Sequence, residues 1–132
     1  MVRFKKAFIE EIRDQGLKEL PNEACGYLYG KDLSNLDGRI AMENIDFSPE
    51  HFSFASKDMF LALKTARSED KALLAVYHTH PETPARMSEE DKRLANDTSM
   101  VYLIYSLSED QIKSFTINKE KQVQEVDFEV FE

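Results

Sequence analysis

The chain has 132 residues, with 25 acidic side chains against 17 basic ones and a formal net charge of −8. That length suits one domain over residues 1–132, enough to bury roughly two-thirds of the unfolded-chain surface without staples. The acidic balance argues against non-specific nucleic-acid binding and against an anionic-lipid anchor, both of which need excess Lys and Arg.

Arg3 to Leu20 places Phe4, Phe8 and Ile12 four residues apart, which predicts a helix with one buried face, ended by Pro21. Ala24–Tyr29 predicts a short strand closed by Gly30, and Lys31–Gly38 a loop. Arg39–Phe47 predicts a strand with Ile40, Met42 and Ile45 inward, broken at Ser48-Pro49. Residues 50–55 read as irregular or a short strand. Ser56 is the expected cap of a helix to about Ser68, whose apolar face would be Met59, Phe60, Leu63 and Ala66. Lys71–Tyr77 is almost wholly apolar and predicts a central strand covered on both faces. His78–Met87, with two prolines, predicts a loop; Ser88 starts a helix reaching about Asn96. Met100–Leu107 predicts another buried strand, and Gln111–Asn118 with Gln122–Phe131 a terminal hairpin. About three helices interleaved with five or six strands imply an α/β sheet with helices on its faces.

No apolar run approaches the roughly 18 residues of a membrane span. Glu10 and Glu11 interrupt the basic N-terminus before a signal core could form, and the lone Cys25 has no intrachain partner. The expected location is therefore the cytoplasm.

The chemistry concentrates in His78-Thr-His80-Pro and in Ser88-Glu-Glu-Asp91. Side chains two apart at a strand end point the same way, so His78 and His80 can converge on one point. The proline-containing loop can return Asp91 to that point as a third ligand. Two imidazoles and one carboxylate leave Zn²⁺ an open position for water, which is a catalytic pattern and not a closed structural one. Glu23, just before the Ala24–Tyr29 strand, is the candidate proton acceptor for that water. Ser88 is the expected helix N-cap and a candidate hydrogen-bond donor to an oxyanion.

This arrangement resembles the JAMM metalloproteases, the catalytic MPN or Mov34/PAD-1 type. Their pattern of an upstream Glu, then His-x-His, seven residues, Ser, two residues and Asp is matched by Glu23, His78, His80, Ser88 and Asp91. Pro21-Asn-Glu23-Ala-Cys25-Gly26-Tyr-Leu28-Tyr-Gly30 also resembles the segment around the Glu in bacterial members. Met87 departs from the pattern, since many members have Pro there; a slightly looser loop is expected. The resemblance implies a cytidine-deaminase-like three-layer fold, a central mixed β-sheet between α-helices with a C-terminal β-hairpin. It implies one Zn²⁺ per chain held by His78, His80 and Asp91, with Glu23 activating the zinc-bound water and Ser88 stabilising the oxyanion. The implied reaction is hydrolysis of an amide or isopeptide bond at the C-terminus of a ubiquitin-like or sulfur-carrier protein with a flexible tail. The resemblance also allows a homodimer.

Other readings are a non-catalytic MPN scaffold that binds a partner, and a metal hydrolase of a small molecule or nucleic acid. The scaffold reading is disfavoured because no ligand position is missing, the nucleic-acid one because of the −8 charge. Cys25, inside a strand, reads as a buried small hydrophobe, and His51 as a surface or outer residue. The Met59, Phe60, Leu63 stripe reads as core.

Overall fold

A computed structural model describes residues 1–132. Its elements in chain order are β1 (Val2–Lys5), α1 (Ala7–Glu19), β2 (Cys25–Gly30), β3 (Gly38–Met42), α2 (Ser56–Ser68) and β4 (Ala72–His80). These are followed by α3 (Glu89–Leu94), β5 (Val101–Ser106), β6 (Gln111–Ile117), β7 (Val123–Val126) and β8 (Phe128–Phe131). Six strands form a mixed sheet in the order β3-β2-β4-β5-β6-β7, in which only β4 and β5 run parallel.

Alternation along the central strands sorts side chains to the two faces. Tyr27, Val76, Tyr102 and Ile104 pack with Ala62 of α2 on one face. Leu28, Ala75, Tyr77, Val101 and Leu103 pack with Phe8 and Ile12 of α1 on the other. The result is the expected three-layer mixed α/β architecture. Gly26 is required by close approach: a Cβ there would lie 2.3 Å from the Ile40 carbonyl oxygen and 2.4 Å from the Tyr77 hydroxyl.

Several expectations are corrected. Arg3–Lys5 do not start a helix but lie in strand β1, paired in parallel with β8 in a separate two-stranded sheet. Phe4 is fully buried there, its ring 5.0 Å from that of Phe128. A partner from the far end of the chain overrides local periodicity. The expected Gln122–Phe131 strand is two strands: β7 completes the hairpin with β6, and β8 leaves to pair with β1. The β3 strand ends at Met42, because the Asn44 side chain accepts from the Asp46 N–H and turns the chain, leaving Ile45 exposed.

Ser56 does not cap α2; Ala55 takes that position without a side-chain hydrogen bond. The helix turns Ala62 and Ala66 to the sheet and leaves Met59 and Phe60 exposed, so the larger apolar stripe is not core. The β4 strand runs on through His80, because β5 continues to pair with it at His78, Thr79 and His80. The helix after Ser88 is shorter than expected, ending at Leu94. No helix is long and apolar enough to cross a membrane.

Candidate metal centre

The extended β4 strand settles the geometry of the two histidines. His78 and His80 share one face of the sheet, the α2 face, while Thr79 points to the other. Cys25 pairs with His78 across β2 and β4, so Glu23, two residues before Cys25, enters on the histidine face.

The loop after His80 returns tightly. The Leu107 N–H donates to the His80 carbonyl at 3.0 Å, and the Ser106 hydroxyl donates to the Thr83 carbonyl at 2.7 Å. Ala85 and Met87 are buried, so hydrophobic burial anchors the loop at both positions. Met87 thus fills core space. Ser88 then caps α3 with a reciprocal capping box. Its Oγ accepts from the Asp91 N–H, and its own N–H donates to Asp91 Oδ2, both at 3.0 Å. One motif therefore caps the helix and aims the Asp91 carboxylate.

The three expected ligands converge. His78 Nε2 lies 3.2 Å from His80 Nε2 and 3.1 Å from Asp91 Oδ1, and His80 Nε2 lies 2.9 Å from Asp91 Oδ2. The structure brings Glu23 to the same point: ligand atoms of all four residues lie within 4.8 Å of one another, and all four residues are buried. Of the five expected site residues, only Ser88 lies outside this set, at its edge through the capping box.

The donor set suits a divalent cation. Donors on a tetrahedral zinc with bonds near 2.0–2.1 Å sit about 3.3 Å apart, close to the spacing here. His80 Nδ1 faces the Pro84 carbonyl at 2.8 Å. A carbonyl only accepts, so Nδ1 carries a proton and Nε2 is the nitrogen that faces the centre, able to bind a cation once it gives up its own proton. Glu23 Oε1 is buried with no hydrogen-bond partner, a costly arrangement that a nearby cation would relieve.

The electrostatics agree. Burial, then the negative charges of Asp91 and Glu50, pushes the Glu23 carboxyl up to about 9. Burial opposes ionisation of Asp91 as well. The charges and hydrogen bonds of His78 and His80 overcome it and hold that carboxyl well below the usual range. Cys25 is buried and its thiol is pushed up, chiefly by desolvation, which is the environment of an inert cysteine. His51 pairs with Asp46 at 2.8 Å, apart from the cluster.

Sequence reasoning missed three contributors. Phe52 packs its ring 4.9 Å from the His78 ring. Together with Phe54, Met59, Met87, Leu94 and Tyr102 it lines an apolar pocket of about 280 Å³ that opens onto His78 and Asp91. Asn44 and Thr79 hold the backbone beside Glu23. Phe52 and Asn44 belong to no spaced motif, and Thr79 is marked only as the middle position of His-x-His.

Comparison with known proteins bears on this geometry. A 90-residue stretch, 67% of the chain, is 30% identical to the CysO-cysteine peptidase of Mycobacterium tuberculosis, and spans 62% of that relative's length. The chain is 30% identical over 119 residues to a Thermus thermophilus protein named "Probable TtuB-protein conjugate cleaving protease", covering 89% of this chain and 77% of that one. It is 25% identical over 104 residues to the desampylase of Pyrococcus furiosus, covering 79% and 73%. A solution structure of a Desulfitobacterium hafniense protein matches with a TM-score of 0.89 at 40% identity, over 100% of this chain and 94% of that one. A crystal structure of a JAB1/MPN domain protein from Archaeoglobus fulgidus shares the fold, with a TM-score of 0.66 at 19% identity, over 98% and 97% of the two chains. The family described as prokaryotic homologs of the JAB domain matches residues 5–118. By that match the chain belongs to the prokaryotic JAB-domain family, the JAMM class its motif resembles.

Proposed function

We propose that this chain, as one catalytic domain over residues 1–132, is a zinc-dependent hydrolase. It cleaves an amide or isopeptide bond at the C-terminus of a ubiquitin-like or sulfur-carrier protein, in the cytoplasm. The observation that carries this reading is the convergence of Glu23, His78, His80 and Asp91 at one buried point. The names of the relatives, a CysO-cysteine peptidase, a TtuB-conjugate protease and a desampylase, support the substrate class.

His78, His80 and Asp91 would hold one zinc ion. Bound there, zinc supplies Lewis-acid polarisation of the substrate carbonyl and of water. Asp91 brings the negative charge of the ligand set, and Pro84 fixes His80 in the tautomer that presents Nε2. Glu23 accepts the proton of the attacking water and returns it to the leaving amine. Burial, then the Asp91 charge, raises this carboxyl when no cation is near; a cation bound beside it would favour its ionised form. The Ser88 oxygen is occupied as an acceptor by the Asp91 N–H, which leaves its O–H free to donate to the developing oxyanion. The apolar pocket beside His78 excludes water from one side of the centre and offers a surface to the substrate tail.

The test is metal analysis of the purified protein alongside cleavage of a carrier protein bearing a C-terminal extension. About one zinc per chain, cleavage abolished by chelation, and a Glu23→Gln variant that keeps zinc and loses turnover are expected. Absence of stoichiometric zinc after zinc loading refutes the reading.

A further inference from the structure

Glu23 precedes the first residue of β2, so no sheet ladder fixes it. Its backbone is nonetheless fully engaged. The Glu23 N–H donates to the Ser48 carbonyl at 2.8 Å, and the Glu23 carbonyl accepts from Asn44 Nδ2 at 3.1 Å. The Ala24 N–H donates to Thr79 Oγ1 at 2.9 Å, and the Thr79 N–H donates back to the Ala24 carbonyl at 2.9 Å. Glu23 Oε1, by contrast, has no partner. The carboxylate is therefore placed through its backbone and not through its own hydrogen bonds.

Two side chains supply that placement. Thr79 is fully buried between the two histidines. Its Cγ2 packs against α1 so closely that a Cβ on Gly16 would lie 2.9 Å away. The methyl group, wedged against the helix, fixes the rotamer that turns the hydroxyl to Ala24. Asn44 is also buried, and its Nδ2 bridges the Glu23 and His51 carbonyls, both at 3.1 Å. It thereby ties Glu23 to the segment that carries Phe52, whose ring packs on His78.

We propose that Thr79 and Asn44 are positioning residues: they clamp the Glu23–Ala24 backbone and so hold the Glu23 carboxylate against the His78, His80 and Asp91 set. This rests on the hydrolase reading above. Misplacement of a reacting group by about 1 Å costs on the order of 100-fold in rate, so the clamp bears on turnover. It leaves the histidines alone, because ladders to β2 and β5 hold them.

The test compares zinc-loaded wild type with Thr79→Val, Thr79→Ser and Asn44→Ala. Three quantities are read: zinc per chain, kcat and KM on a carrier fusion, and amide hydrogen exchange at Ala24 and Cys25. In Thr79→Val, kcat falls about 10- to 100-fold while KM and zinc content hold. Ala24 exchange accelerates at least about tenfold, with Cys25 unchanged. Thr79→Ser, which keeps the hydroxyl, recovers most of both. Wild-type turnover in folded Thr79→Val, or a Thr79→Ser loss equal to that of Thr79→Val, overturns the proposal. If Thr79→Val does not fold, Asn44→Ala decides: lost kcat with retained zinc supports the clamp, and wild-type kcat overturns it. Should wild type cleave no carrier, the hydrolase reading fails by itself. The clamp then stands or falls on whether Ala24 exchange accelerates in Thr79→Val or in Asn44→Ala.

Discussion

Zinc should stabilise this fold strongly, and through Asp91. The donor atoms of His78, His80 and Asp91 stand 2.9–3.2 Å apart in the folded chain and have no fixed relation in the unfolded one. A ligand that binds only the folded state at a thousand times its Kd adds about 4 kcal/mol. For a chain of this length that corresponds to a rise in Tm of roughly 15 °C. Asp91→Ala removes one ligand and half of the capping box. The lost hydrogen bond to the Ser88 N–H and the lost buried pairing with His78 and His80 lower the metal-free Tm, and most of the zinc response disappears with the ligand. Ser88→Ala loses the other half of the box, the Oγ acceptor of the Asp91 N–H, but no ligand, so it starts about 1 kcal/mol lower and keeps the zinc response. Glu23→Gln keeps it too. Calorimetric melting of the four proteins, each chelated and then zinc-loaded, separates these effects. A wild-type Tm indifferent to zinc, or a zinc-induced rise in Asp91→Ala equal to that of wild type, refutes the assignment.

Other perturbations give distinct signatures. Ser88→Ala should retain zinc yet lose about 100- to 1000-fold in kcat, as removal of an oxyanion donor does, measured in single-turnover cleavage. Glu23 should make the metal-free protein less stable as pH rises. Its carboxyl ionises near 4.5 when unfolded but only near 9 when folded, so between those values the folded state holds the extra proton. Urea midpoints of chelated wild type should fall across that window, and those of Glu23→Gln should fall less. Met87→Ala should cost about 2–4 kcal/mol in denaturant unfolding, because the side chain is buried in the core beneath the metal-site loop.

Much of this molecule is legible in its sequence because its signals are local. The apolar runs that became β4 and β5 are buried on both faces, and a residue pattern shows that without reference to partners. The ligand set is legible for the same reason: alternation along a strand brings His78 and His80 to one face, and a capping box needs only four consecutive residues to aim Asp91. Some expectations failed where a distant partner decided the outcome. Phe4 lies on a strand because β8 pairs with it, and Met59 and Phe60 lie outside because the sheet accepts the small side chains Ala62 and Ala66.

The sequence by itself therefore indicated most element types in the middle of the chain, the four side chains that the fold brings together and the class of chemistry they suit. Only the tertiary structure decided how Glu23 meets the histidines, since β2 and β4 must pair antiparallel before that carboxylate enters their face. It also decided the support around that meeting: Asn44, Thr79 and Phe52 act through hydrogen bonds and packing between segments far apart in the chain. Such contacts leave no periodicity to read, because they depend on which strands become neighbours and not on spacing within either one.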